Sequence, residues 1–283
     1  MPSSFRKQPG WGCVEFLQWA LPQMGYAWPG FRRVRHRVCK RIGRRLRDLH
    51  LGDLESYRRH LEAHRSEWRV LDGFCGIPIS RFGRDWRVFD CLGQEVLPRL
   101  AQAAADRGAE RVEAWSIGCA RGEEPYTVSA VWELMVAPSW PQLSIAVLGT
   151  DVDEEQLRRG RSGCFKASSL RELPATWRDV MFERDGTDYR IGSRFSTSVR
   201  FVRQDVREAM PGVEFDLILC RNLVLTYFSD GLRDQVLGRL AGALREGGAF
   251  VSGARERLPE SCMALVPWRP ELGIYGRSSP PEA

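Results

Sequence analysis

The chain has 283 residues, 43% hydrophobic and 28% charged, with a formal net charge of +6. That length and balance allow a full buried core and exclude a disordered or fibrous chain. No apolar run approaches the ~20 residues of a membrane span, and "MPSSFRKQPGWGCVEF" lacks the apolar centre of a secretory signal, so a cytoplasmic location with no membrane insertion is expected.

The N-terminal part reads as helices. First comes "CVEFLQWALPQM", then a basic stretch from Arg32 to Arg47, then "LESYRRHLEAHRSEWRVLDGF". Gly52 separates the last two, and Asp53 is placed to cap the third. The basic stretch, "RRVRHRVCKRIGRRLR", carries nine Lys or Arg and no acid, so the rest of the chain is net acidic. Val34, Val38, Ile42, Leu46 and Leu49 recur at spacings of three or four, which makes one apolar stripe with arginines around it. Two readings stay open: a solvated helix docked on its own domain, or a binding face for an acidic partner, either nucleic acid or an acidic protein helix. After Cys75 the segment "GIPISRFGRDWRVFDCLGQEVLPRLAQAA" reads as a linker that becomes helical from about Trp86.

From residue 111 strands alternate with helices. The strands are "RVEAWSIG", "SIAVLGTD", "VRFVRQD", "FDLILCRN" and "GAFVSGA"; the helices are "EEPYTVSAVWELMV", "DEEQLRRGR" and "DGLRDQVLGRLAGALREGG". This order predicts a mostly parallel, doubly wound α/β sheet, whose ligands bind at the carboxyl ends of the strands. The polar singletons fall there: Gly118 and Gly122 after the first strand, Asp151 and Asp153 after the second, Asp205 after the third, Arg221 and Asn222 after the fourth. A glycine-rich turn opening a helix suits phosphate, but Glu123 and Glu124 put negative charge beside it. An acid closing the second strand suits the hydroxyls of a ribose. Ribose, base and a cationic tail together describe S-adenosylmethionine. Cysteines 13, 39, 75, 91, 119, 164, 220 and 262 show no CxxC pair, and all four histidines precede residue 65. Neither a metal site nor a disulfide framework is expected.

"LESYRRHL", "SRFGRDWRVFDCL", "GCARGEEPY", "LGTDVDEEQLRRGRSGCF", "FDLILCRN" followed by "YF", and "GARERL" stand in the order in which the chemotaxis receptor methyltransferase (CheR) family has its motifs. The chain resembles that family from about residue 14 to 277. The resemblance implies a Rossmann-like class I methyltransferase sheet, an N-terminal helical domain and a small inserted antiparallel β subdomain. Residues 1–85 would be helical domain and linker, 86–283 the methyltransferase domain, and 163–200 the insertion. It also implies methyl transfer from S-adenosylmethionine to receptor glutamates, leaving S-adenosylhomocysteine.

By the same resemblance Arg84 and Tyr227 are the catalytic candidates. Ser80, Arg84, Gly118, Glu124, Asp151, Asp205, Val206, Asn222 and Leu223 are the cofactor-binding ones. The Arg32–Arg47 helix would meet the acidic methylation helices of a receptor, with nucleic acid the lesser alternative, and the chain is read as a monomer. A non-catalytic cofactor-binding module, or a methyltransferase on another acceptor, are the competing functions. Four departures from the family pattern bear on the acceptor more than on the cofactor: Pro78 for an asparagine whose side chain contacts cofactor in the family, Gly83 for a phenylalanine, Arg121 for a small hydroxyl residue in the first loop, and one extra residue between Asn222 and Tyr227. "FERDGTDYRI" lacks the glycine-bearing loop of members that grip a receptor's C-terminal peptide, so no such tether is expected.

Overall fold

A computed structural model describes residues 12–78 and 80–278; the outermost residues of the two expected domains, 1–11 and 279–283, lie outside the described residues. The chain divides into two compact units. One runs to Ile77 and takes in Thr226–Asp230; the other holds Pro78–Leu225 and the chain from Gly231 onward.

The helical unit contains α1 (Cys13–Gln23), α2 (Trp28–Phe31), α3 (Arg35–Asp48), α4 (Leu54–Ala63) and α5 (Arg65–Cys75). Its core gathers Phe16, Leu17, Leu21, Phe31, Val38, Ile42, Tyr57, Leu61 and Leu71. The stripe expected on the basic helix is therefore its buried edge: Val38 and Ile42 are fully covered, while Val34, Leu46 and Leu49 pack at the margin. Each covered aliphatic side chain contributes about 2 kcal/mol, enough to seat a helix whose cations repel one another. Asp53 caps α4 as expected, its Oδ1 accepting from the Ser56 N–H at 2.8 Å. The single helix read from 54 to 74 is instead two, because His64 takes extended backbone between α4 and α5.

One expectation is overturned in this unit: Cys13 and Cys39 form a disulfide, with Cα atoms 6.1 Å apart. Their spacing of 26 residues is silent about it. Only the packing of α1 against its neighbours brings the two Cβ atoms within the narrow reach of an S–S bond.

The second unit opens with α6 (Trp86–Cys91), a π-helical stretch and α7 (Leu97–Asp106). Its parallel core strands are β1 (Arg111–Ile117), β2 (Ser144–Asp151), β6 (Val199–Arg203), β7 (Phe215–Leu219) and β8 (Leu244–Val251). Around them lie α8 (Glu123–Val131), α9 (Glu154–Arg161), α10 (Ala175–Met181), α11 (Ser193–Ser196), α12 (Val224–Tyr227, its end in the helical unit) and α13 (Asp230–Ala243). A separate antiparallel sheet is made by β3 (Cys164–Lys166), β5 (Asp188–Ile191) and β4 (Phe182–Asp185). The large sheet has seven strands in the order β6-β2-β1-β7-β8-β10-β9. Its last two, β9 (Leu265–Arg269) and β10 (Ile274–Arg277), are antiparallel and were not read from the sequence.

The helix expected to run to Gly248 stops at Ala243. Leu244 is fully buried and pairs with Phe215, so strand pairing claims residues that continue a helical pattern. Chain order reverses between β1 and β7. A doubly wound sheet opens its ligand crevice at such a point, so the β1–α8 and β7–α12 loops are the ones that face it. Among the described residues no helix is long and apolar enough to cross a membrane.

Candidate functional site

The β1–α8 turn begins at Gly118, whose φ is +66°. A Cβ there would lie 2.9 Å from the Leu223 side chain, so both backbone conformation and the neighbouring loop demand glycine. Ala120 follows with φ +49°, and its N–H donates to Asp151 Oδ2 at 2.9 Å. The other oxygen of Asp151 accepts from the Asp153 N–H, also at 2.9 Å. Burial pushes the Asp151 carboxyl up, against these backbone donors, which pull it down. Each oxygen keeps a second lone pair for a ligand hydroxyl. Asp153 itself caps α9.

Two glutamates open α8 and they differ. Glu123 is 2% exposed, and burial raises its pKa although the hydroxyls of Ser80 and Ser169 hydrogen-bond to it. Its Oε2 is buried with no hydrogen-bond partner among the described residues. Glu124 instead faces a polar cluster. Its Oε1 accepts from Ser116 Oγ at 2.8 Å, and its Oε2 from Arg221 Nη1 at 3.1 Å.

Arg221 stands two residues after β7, and its guanidinium joins three segments. Besides Glu124, its Nη2 donates to Asp85 Oδ2 at 2.7 Å and to the Arg84 carbonyl at 3.0 Å, and the group lies 5.3 Å from the centre of the Phe89 ring. The sequence-predicted Arg84 is thus held by its backbone to the same cluster as Glu124. Asn222 comes next, with φ +56°. Its N–H donates to Glu256 Oε2 at 2.9 Å, and the Gly253 N–H donates to the same oxygen at 2.6 Å.

Asp205 forks onto Arg207, with Nη2 to Oδ2 at 2.7 Å, and Val206 beside it is 6% exposed. Gln204 N–H donates to the Asp151 carbonyl at 3.1 Å, which ties that turn to the end of β2. Gly118, Glu124, Asp151, Asn222 and Leu223 therefore stand at the carboxyl ends of the central strands β1, β2 and β7, with the Arg84 carbonyl tied there through Arg221. Tyr227 belongs to the helical unit, where its ring lies 4.9 Å from Phe31 and its carbonyl accepts from the Ala27 N–H at 2.8 Å. Ser116, Asp85, Arg221 and Glu256 carry contacts that sequence reasoning did not assign. The signal for Arg221 was present: a cation placed directly after the buried run "FDLILC".

The departure at Gly83 has a local explanation. Its φ is +63°, a Cβ would lie 3.0 Å from the Trp86 ring, and the space is filled by Trp86 packed edge-on to Trp177 at 4.7 Å. Arg121 donates from Nε to Gln156 Oε1 at 3.0 Å, in the first turn of α9.

A glycine turn flanked by one buried and one ion-paired carboxylate fits a cationic nucleoside far better than a pyrophosphate. Residues 79–266 match the CheR methyltransferase, SAM binding domain. The chain belongs to the CheR methyltransferase family. It is 34% identical over 192 residues to a chemotaxis protein methyltransferase of Listeria monocytogenes, covering 67% of this chain and 70% of that one. It is 30% identical over 233 residues to the chemotaxis protein methyltransferase of Salmonella typhimurium, covering 78% and 76%. An uncharacterized 104.1 kDa protein of Rhodobacter capsulatus is 32% identical over 224 residues; those cover 78% of this chain but only 23% of that protein. Family membership makes the chain an S-adenosylmethionine-dependent methyltransferase with a Rossmann-like fold. In this CheR member the matched segment contains the Glu124–Arg221 pair, the backbone-held Asp151 and the Asn222–Glu256 contact.

Proposed function

We propose that the chain transfers a methyl group from S-adenosylmethionine to glutamate side chains of chemoreceptors. The observation that carries this reading is the Arg221 bridge: the Arg84–Asp85 segment, expected to meet the acceptor, shares one hydrogen-bonded cluster with Glu124, expected to meet the cofactor. When bound, the cofactor supplies a methyl group made electrophilic by its sulfonium. Asp151 would accept the ribose hydroxyls, Glu124 would pair with the cationic methionine end, and the Asn222–Leu223 and Asp205–Val206 turns would flank the adenine. An acceptor glutamate is already ionised near neutral pH, so no general base is needed. Arg84 would hold that carboxylate in a forked pair, and Tyr227 would add a hydrogen bond. The protein's contribution is alignment.

The partner surface is α3. Arg41 and Arg45 point inward: Arg41 Nη1 donates to the carbonyls of Phe74 and Gly76 at 2.6 Å, and Arg45 forks onto Glu67. Arg37, Lys40, Arg44 and Arg47 are exposed and would meet the acidic methylation helices of a receptor.

Titration calorimetry with S-adenosylhomocysteine, followed by an assay for base-labile methyl esters on receptor fragments, tests the reading. Arg84→Ala should cut ester formation by about 10²-fold. An unchanged ester rate in that variant rules out the assigned role of Arg84. Cofactor binding without any ester on receptor fragments rules out the receptor as acceptor.

A further inference from the structure

We propose that Arg221 is a positioning residue that aims Glu124 at the cofactor while fixing the Arg84–Asp85 segment. This rests on the reading that Glu124 meets the cationic end of the cofactor. Arg221 is 9% exposed, its side chain 4%, whereas the Asp85 and Glu124 side chains are 44% and 14% exposed. The buried member of the cluster is the cation, and it cannot shed its proton. One Nη reaches each carboxylate, so the planar fork sets the distance between them. The Phe89 ring, with its centre 5.3 Å from the guanidinium carbon, adds a cation–π contact.

Charge counting gives the fork a purpose. Two carboxylates against one guanidinium leave one negative charge, which an incoming ammonium or sulfonium can neutralise. Without Arg221, Glu124 and Asp85 would face each other as like charges and turn apart, and a Glu124 turned from the crevice has nothing to offer a cation. Arg121 stands in the turn before α8, and burial, then Asp151, Glu124 and Glu123, raise the Cys119 thiol. Burial likewise raises the Cys220 thiol, which feels both Glu256 and Glu124. Among these neighbours of Glu124, Arg221 supplies the charge-assisted donor and Ser116 the neutral one. Lysine could keep the charge there but not the fork, since an ammonium is a point charge on a flexible stem.

The test uses the full chain and S-adenosylhomocysteine, whose amino group carries the charge that Glu124 would meet. Calorimetry should show Arg221→Gln binding it ~10-fold more weakly than wild type. Adding Asp85→Asn to Arg221→Gln should restore part of that affinity. Arg221→Lys should keep most of the wild-type affinity yet turn over acceptor ~10-fold more slowly, because the Arg84 carbonyl loses its tie. It also keeps the inference testable should Arg221→Gln not fold. Wild-type affinity in Arg221→Gln, or an Arg221→Lys variant with wild-type turnover, overturns the inference. Glu124→Gln separates it from the reading beneath: wild-type affinity in that variant means that Glu124 does not meet the cofactor, and both fall together.

Discussion

Asp151 shows how much a single residue can disclose. An acid at the end of the second strand of an alternating pattern is legible as a ribose acceptor without coordinates. What the coordinates add is that two backbone N–H groups already hold it, and that burial raises its pKa despite them. Removing it as Asp151→Ala should weaken S-adenosylhomocysteine binding by about 2 kcal/mol, or ~30-fold, in calorimetry at neutral pH. The raised pKa sets a direction with pH: the carboxylate is present at neutral pH and lost on acidification sooner than an ordinary aspartate would be. Wild-type affinity should therefore decline gently on going from about pH 8 to about pH 5, and Asp151→Asn should flatten that decline. Arg221 was the opposite case. Its position was readable, but its role was not, because its three partners come from residues 84, 85 and 124, far apart in the chain.

At the scale of elements, α3 combines two readings that its sequence left as alternatives. It is docked on its own domain by Val38, Ile42 and two inward arginines, and it also presents a basic face. The fork from Arg45 meets Glu67, 4% exposed, whose Oε1 also accepts from Tyr57 Oη at 2.9 Å. Three helices meet on that carboxylate. Breaking the fork with Arg45→Met leaves a buried charge half-satisfied and should cost about 2 kcal/mol in urea unfolding. Arg45, followed by Tyr57, holds Glu67 below the ordinary carboxylate range. Its stabilisation is thus complete above that range and is lost as pH falls through the lowered value; Glu67→Gln should remove this part of the acid sensitivity. Element identity was legible wherever periodicity was strong. It failed where tertiary pairing overrode it, as at Leu244, and at His64, where apolar spacing runs unbroken through an extended residue.

For the whole molecule, the partner face and the disulfide invite direct measurement. Arg37→Glu with Arg44→Glu should abolish binding to an acidic receptor helix and leave S-adenosylhomocysteine affinity unchanged, and wild-type binding should weaken steeply with added salt. Equal loss of both affinities would mean misfolding instead. Alkylation in denaturant without reductant should label six cysteines, and eight after reduction; eight at the outset would mean that Cys13 and Cys39 are thiols. The sequence by itself determined the class of the sheet, the succession of its five parallel strands along the chain, the strand ends at which Gly118, Asp151 and Asn222 stand, and the basic character of α3. Those properties reside in periodicity, in strand-end position and in local charge, each written within a dozen residues. Tertiary structure alone decided the Cys13–Cys39 bond, the antiparallel β9–β10 edge, the separation of Glu123 from Glu124 into a buried and a paired acid, and the Arg221 fork. Each of these depends on groups remote in sequence meeting at a fixed distance and with a given degree of burial, which no local pattern encodes.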